Sequence, residues 1–158
     1  MRKISNPYNK LEGHYCFACS DKNQLGLKME FYEDGEYVIS KWKAENHYQG
    51  FHNILHGGIQ ATLMDELAAW FVQIKMKTSG VTSSMNTKYI HPVNADEQIL
   101  LRASLQSQRK NIVEVKVELI VGKETVCTQS DITYYTFPQE IAKKKFYYPE
   151  YKEFFEND

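Results

Sequence analysis

The chain has 158 residues, the size of a single domain. Its 19 Lys and Arg residues nearly balance its 20 Asp and Glu residues, and this balance argues against nucleic acid as a partner. No apolar run approaches the ~18 residues of a membrane span, and the first residues lack the apolar stretch of a secretory signal. An odd count of three cysteines argues against a disulfide framework. We therefore expect a soluble, cytoplasmic domain that does not interact with membranes.

The hydropathy pattern predicts an N-terminal arm, a hairpin, a long loop, one helix, four further strands and a tail. Strands are indicated by apolar residues at every second position, and the helix by a Gly-free and Pro-free run rich in Ala, Leu, Met, Gln and Glu. In chain order the elements are an arm over 1–24, strands over 25–32 and 36–43 around an Asp34-Gly35 turn, a loop over 45–56, a helix of about 20 residues opened by Gly57-Gly58, strands over 81–91, 97–107, 111–121 and 124–137, and a tail over 138–158.

This order predicts an α+β domain over residues 25–137. Short connections after the helix favour antiparallel pairing of neighbouring strands. One helix covers only one face of a sheet, so we expect an antiparallel sheet of about six strands to wrap around the helix. The remaining exposed surface is expected to meet another subunit.

Asp65 is the one charge on an otherwise apolar stripe of the predicted helix. The other members of this stripe are Gly58, Ala61, Ala68, Val72 and Met76. A carboxylate on such a stripe must be hydrogen-bonded, protonated or open to a cleft. Either a structural Asp or a functional one fits this pattern. Glu66, on the neighbouring polar stripe, is expected to be solvated or to lie at an interface.

The start of the helix adds a second functional signal. His56-Gly57-Gly58 places two residues without side chains at a helix N-terminus, where free N–H groups and the helix dipole attract negative charge. A carbonyl can approach such N–H groups closely, as in an oxyanion hole. A tight turn between loop and helix is the structural alternative.

At these residues the sequence resembles the hotdog-fold acyl-CoA thioesterases, in particular the phenylacetyl-CoA thioesterase-like branch. The segments that carry the resemblance are HGGIQATLMDE (56–66), GVTSSMNTKYIHPV (80–93) and CFACSDKNQLGLKMEF (16–31). The resemblance spans about residues 13–137. It implies a hotdog fold, hydrolysis of an acyl-CoA to a free acid and coenzyme A without a cofactor, and a homodimer or a dimer of dimers.

The resemblance also implies roles for individual residues. Asp65 corresponds to the catalytic carboxylate, acting as general base or as nucleophile. Gly57, together with Gly58, corresponds to the backbone donor to the thioester carbonyl, and His56 lies beside that carbonyl. Thr82 occupies the position of a hydroxyl that helps to hold the attacking water.

Further residues are candidates for contacts with substrate or with the attacking water. Several relatives carry an Asn that helps to orient the attacking water where this chain has Gly50, and Gln49 and Asn53, which lie nearby, are the candidates for this role. Arg109 and Lys110 lie in a predicted hairpin turn, where they could meet the phosphates of coenzyme A. A solvated turn explains the two basic residues equally well.

No metal site is expected from the sequence. Cys16 and Cys19 have a spacing found in zinc sites and His14 is near, but a structural site needs four ligands and Cys127 stands alone in a strand. The resemblance accounts for the cysteine pair as a feature of the family's N-terminal arm. The aromatic tail fits either a lid over the acyl pocket or packing against the domain.

Two functions from different classes remain at this point. One is an acyl-CoA thioesterase, and the other is a non-catalytic protein that binds acyl-CoA as a sensor or carrier. Asp65 favours the enzyme, because binding alone does not require this carboxylate. Gly57 and Asp65 are eight residues apart, about 12 Å along a helix axis, so we expect an active site shared between subunits.

Overall fold

A computed structural model of the chain describes residues 1–155, and within them one antiparallel sheet surrounds one long helix. The strands are β1 (Arg2–Ile4), β2 (Phe31–Asp34), β3 (Tyr37–Lys43), β4 (Gly80–Tyr89), β5 (Gln98–Arg109), β6 (Ile112–Val121) and β7 (Thr125–Thr136). The helices are α1 (Gly57–Phe71), which continues as a π-helical turn over Val72–Met76, and α2 (Gln139–Phe146). The predicted α+β architecture is confirmed, with seven strands instead of about six.

The strand order in the sheet is β1-β2-β3-β5-β6-β7-β4, and all neighbours are antiparallel. The expected pairing of consecutive strands holds for β5, β6 and β7. It is wrong for β4, which pairs with β7 instead of β5. Strand β5 already pairs with β6 at one edge and with β3 at the other, so it has no edge left for β4. Strand β4 therefore lies at one edge of the sheet.

The core lies between helix α1 and the inner face of the sheet. On β6, the apolar residues that alternate along the strand are all fully buried: Val113, Val115, Val117 and Leu119. Burying each such side chain contributes roughly 1.5–3 kcal/mol. Leu105 continues the apolar alternation of β5, but it is 46% exposed and lies beside a register shift between β5 and β6.

The strand predicted from Leu25 begins only at Phe31. The φ angle of Lys28 is 50°, a left-handed conformation that interrupts an extended strand. The N–H groups of Leu27 and Met29 donate to carbonyls of the N-terminal arm instead of to a neighbouring strand. Both side chains are buried, so the alternation in the sequence reflects packing beneath the arm.

The arm itself contributes β1, which pairs with β2 at the edge of the sheet opposite β4. Ile4 pairs with Phe31 and is 3% exposed. Three residues are too few to show a periodic pattern, so hydropathy did not indicate this strand.

The aromatic tail packs against the arm and α1. The Phe154 ring is fully buried and meets the Trp70 ring edge-on, with centroids 5.9 Å apart. The Phe154 carbonyl accepts a hydrogen bond from Ser5, and the Tyr148 hydroxyl donates to the Gln73 carbonyl. None of the helices within residues 1–155 has the length and apolar character needed to cross a bilayer.

We expect Ile4→Ala to lower the free energy of unfolding by about 2–5 kcal/mol, since it removes buried atoms and leaves a cavity. Lys3→Ala is the matched control, because Lys3 lies in the same strand but is exposed. Its ion pair with Glu30 contributes about 1 kcal/mol or less. Chemical denaturation measures both variants, and an Ile4→Ala protein as stable as the parent would show that β1 is not packed on the core.

We also expect stability to fall at alkaline pH. Burial raises the pKa of Tyr8, Tyr134 and Tyr148 above the ordinary tyrosine value. Above about pH 10 the unfolded chain therefore releases protons that the folded chain retains, and the free energy of unfolding decreases. Tyr148→Phe should flatten this decrease between about pH 10 and 11, because it removes one of the three buried phenols. Urea unfolding at each pH measures the free energy of unfolding. If this free energy falls equally steeply with pH in the parent and in Tyr148→Phe, the result would contradict burial of the Tyr148 phenol.

Candidate active site

Helix α1 begins at Gly57, as predicted, and His56 is its N-cap. The Nδ1 atom of His56 accepts a hydrogen bond of 2.9 Å from the Gly58 N–H. In a neutral imidazole this leaves Nε2 as the donor. Of the two glycine N–H groups, the one of Gly57 donates to no acceptor within residues 1–155, as is usual for the first residue of a helix. It therefore lies at the positive end of the helix dipole, free to bind a ligand oxygen.

Tyr89, at the end of β4, fixes the start of the helix. Its hydroxyl donates to the Gly57 carbonyl oxygen at 2.8 Å. A Cβ atom at position 57 would lie 3.3 Å from the Tyr89 ring, so glycine allows this close packing. Tyr89 stands in the segment that carries the family resemblance, but the sequence pattern predicted no role for it.

The loop before the helix closes onto the His56 imidazole. A Cβ atom at Gly50 would lie 3.2 Å from His56 Cδ2, so the absence of a side chain there makes room for the ring. Asn53 has a φ angle of 59° and donates its N–H to Gln49 Oε1 at 2.6 Å. Asn53 thus shapes the exposed turn of this loop.

Asp65 and Thr82 are in direct contact. The Thr82 hydroxyl donates to Asp65 Oδ1 at 2.7 Å, and the Tyr134 hydroxyl lies 3.2 Å from the same oxygen and 3.0 Å from the Asp65 carbonyl oxygen. Asp65 is half-buried. Its second oxygen, Oδ2, receives no hydrogen bond from the residues that the structure describes. One carboxylate oxygen is therefore held in place, and the other is available.

The hydroxyl partners of Asp65 come from two neighbouring strands. Thr82 on β4 pairs directly with Tyr134 on β7, beside a β-bulge. Tyr134 is 1% exposed, and burial, followed by the nearby Asp65 carboxylate, raises the pKa of its phenol. The phenol therefore stays protonated and acts as a donor. Sequence reasoning missed Tyr134, since an inward tyrosine in a strand looks like any core residue.

The two clusters lie at opposite ends of β4. Gly57 contacts Tyr89 at one end, and Asp65 contacts Thr82 at the other. Along α1 the two residues are separated by about 12 Å. Within residues 1–155, β4 pairs with β7 alone, and most of its side chains are exposed. The structure therefore does not bring Gly57 and Asp65 of one chain together.

Arg109 and Lys110 lie at the predicted hairpin turn between β5 and β6, and both are exposed. Val113, shortly after the turn, pairs with Tyr134, which in turn pairs with Thr82. The register thus places the basic turn at the same end of the sheet as Asp65.

Comparisons with known sequences show which family the chain resembles. Residues 52–128 match the family model of the thioesterase superfamily. The Mus musculus protein acyl-coenzyme A thioesterase 13 is 29% identical over 85 residues, which are 53% of this chain and 61% of that protein. The chain thus matches less than two thirds of the length of this relative.

Solved structures share the fold. The Escherichia coli PaaI protein from the phenylacetic acid degradation operon superimposes with a TM-score of 0.65 at 15% identity, covering 72% of this chain and 82% of that one. A Streptococcus mutans protein bound to acetyl CoA gives a TM-score of 0.67 at 15% identity, covering 83% and 98%. The resemblance to the hotdog-fold thioesterase superfamily is therefore confirmed, by the fold of the sheet and helix and by the sequence of residues 52–128.

Proposed function

We propose that the protein hydrolyses an acyl-CoA thioester to a free acid and coenzyme A. The observation that carries this proposal is the half-buried Asp65, whose Oδ1 is held by Thr82 and Tyr134 while Oδ2 is left available. The superfamily match, the acyl-CoA thioesterase relative and the structural neighbour bound to acetyl CoA support the same substrate class.

Asp65 has the chemistry required to start the reaction. As a general base, Oδ2 takes a proton from water while the resulting hydroxide adds to the thioester carbon. As a nucleophile, the same oxygen adds to that carbon itself, and water then cleaves the acyl-enzyme. In both routes the departing coenzyme A thiolate takes up a proton. Thr82 helps to orient Asp65 and the attacking water.

Gly57 is the proposed oxyanion donor. Its N–H points out of the helix start, where the developing negative charge of the carbonyl oxygen is stabilised. We assign the carbonyl contact to Gly57 in preference to Gly58, because the Gly58 N–H already donates to His56 Nδ1. His56 lies beside the carbonyl and keeps the Nε2 proton as a second donor.

The separation of Gly57 and Asp65 favours a site shared between subunits. A long exposed edge strand readily pairs with another strand. If two copies of β4 pair antiparallel about a two-fold axis, the Tyr89 end of one lies beside the Thr82 end of the other. Gly57 of one protomer then faces the partner's Asp65. A homodimer, or a dimer of dimers, would therefore contain two sites per pair.

We assign the remaining candidates to the edges of this site. The exposed Arg109 and Lys110 are assigned to the phosphates of coenzyme A, because basic side chains form strong charge-assisted hydrogen bonds to phosphate. Asn53 is assigned to the loop that borders the carbonyl beside His56.

We expect Asp65→Asn to lower kcat by at least ~100-fold, because the amide cannot accept the proton or attack the carbonyl. Acetyl-, hexanoyl- and phenylacetyl-CoA provide the substrate panel, and release of free thiol is the measurement. Asp96→Asn is the matched control, since Asp96 is exposed in the loop between β4 and β5 and should leave kcat unchanged.

Two outcomes would contradict the proposal. Hydrolysis by Asp65→Asn at the parent rate would remove Asp65 from the chemistry. A parent protein that binds these thioesters in calorimetry but hydrolyses none of them would instead be a non-catalytic sensor or carrier.

A further inference from the structure

A cavity of about 300 Å³ lies where the N-terminal arm and the tail meet α1. The polar side chains in its wall include Cys16, Cys19, Glu66 and His14. The proposed hydrolysis uses none of these four residues. Glu66, expected from the sequence to be solvated or at an interface, is half-buried beneath the arm.

Three of these side chains converge on one point. The sulfur atoms of Cys16 and Cys19 and a carboxylate oxygen of Glu66 all lie within 4.8 Å of one another. The distance from Cys16 Sγ to Glu66 Oε1 is 3.6 Å. Around a tetrahedral Zn²⁺ with bonds of about 2.3 Å to sulfur and 2.1 Å to oxygen, ligand atoms are roughly 3.6–3.8 Å apart. The three donors therefore already stand close to the spacing of a zinc site.

The backbone and neighbouring side chains hold these donors in place. The Cys19 N–H donates to Cys16 Sγ at 3.2 Å. The Trp70 indole N–H donates to Glu66 Oε1 at 3.0 Å and orients the carboxylate, as outer partners of metal ligands do.

His14 supplies an independent observation. Its Nε2 atom is buried and has no hydrogen-bond partner among the residues that the structure describes. A buried nitrogen without a partner is unfavourable, and coordination of a cation would satisfy it. Cys16 and Cys19 from the arm and Glu66 from α1 need one more ligand for a tetrahedral set. His14 lines the same cavity but is not among the donors that lie within 4.8 Å of one another, so its ring would turn toward the ion on binding.

We propose that Cys16, Cys19 and Glu66 bind Zn²⁺ or a similar thiophilic divalent cation, with His14 as the fourth ligand. Three groups that are negative when deprotonated meet in a half-buried cavity, and a cation compensates their repulsion. A Cys16–Cys19 disulfide is the competing interpretation, but it gives no role to Glu66 or to the buried His14 nitrogen. Because the protein would fill all four positions, the site is structural and fastens the arm to α1 beside Asp65.

The test uses the full chain, reduced and freed of metal with a chelator. Titration with Co²⁺ should produce sulfur-to-cobalt charge-transfer absorption and tetrahedral visible bands, saturating at one ion per chain. Competition with a zinc-binding dye then gives the Zn²⁺ affinity. This readout does not depend on hydrolysis, so it can fail while the proposed function stands, and the reverse also holds.

Variants identify the ligands. Cys16→Ser, Glu66→Gln and His14→Ala should each weaken Zn²⁺ binding at least ~10-fold, the smallest loss seen even for outer partners of ligands. Cys127→Ser is the matched control, because Cys127 is a buried cysteine on β7 and should leave the affinity unchanged. Circular dichroism of each variant reports whether it folds. The cobalt spectrum of the parent tests the site even where a variant does not fold.

The proposal is overturned if the parent shows no cobalt–thiolate absorption, or if Cys16→Ser binds Zn²⁺ as tightly as the parent. An unchanged Zn²⁺ affinity in His14→Ala would show that His14 is not the fourth ligand. Loss of two hydrogen masses under mild oxidation, in a parent chain that does not bind Zn²⁺, would establish the disulfide instead.

Discussion

The fixed rise of helix α1 constrains the proposed chemistry and assembly together. At about 1.5 Å per residue, Gly57 and Asp65 cannot both reach one carbonyl within a chain. Each is bonded to a different end of the edge strand β4, Gly57 through Tyr89 and Asp65 through Thr82. Antiparallel pairing of β4 with its own copy places opposite ends side by side, so the same exposed edge that favours association would also complete two sites.

The parts of the fold that depend on local chemistry could be predicted from the sequence. The glycine pair after His56 marks the helix start, and the alternation in β6 marks a strand with one buried face. The parts that depend on distant partners could not. Residues 25–30 alternate like a strand, yet the N–H groups of Leu27 and Met29 donate to carbonyls of the arm. Hydropathy shows that β4 is a strand, but it does not show which strand β4 pairs with.

The candidate site shows the same limit at the level of single side chains. The apolar stripe of the helix indicated Asp65 and the family resemblance indicated Thr82, and the two side chains lie in hydrogen-bond contact. Two adjacent glycines look equivalent in sequence. In the structure the His56 side chain accepts a hydrogen bond from the Gly58 N–H, and the Gly57 N–H remains available. A helical projection placed Glu66 on a polar stripe, but it cannot show that the arm covers this stripe with Cys16. In the proposed zinc site, Glu66 of α1 is the ligand that the sequence pattern did not indicate.

Complementation between inactive chains tests the shared site most directly. Asp65→Asn and Gly57→Pro chains, the second lacking the donor N–H, are unfolded and refolded together. A mixed dimer then holds one site with both defects and one with neither. Because about half of the dimers are mixed and each has one intact site, activity should approach about a quarter of the parent's. A control mixture of Asp65→Asn with the double variant should recover none. Mixed dimers that are confirmed by native mass spectrometry, yet no more active than either chain alone, would show that each site is built within one chain.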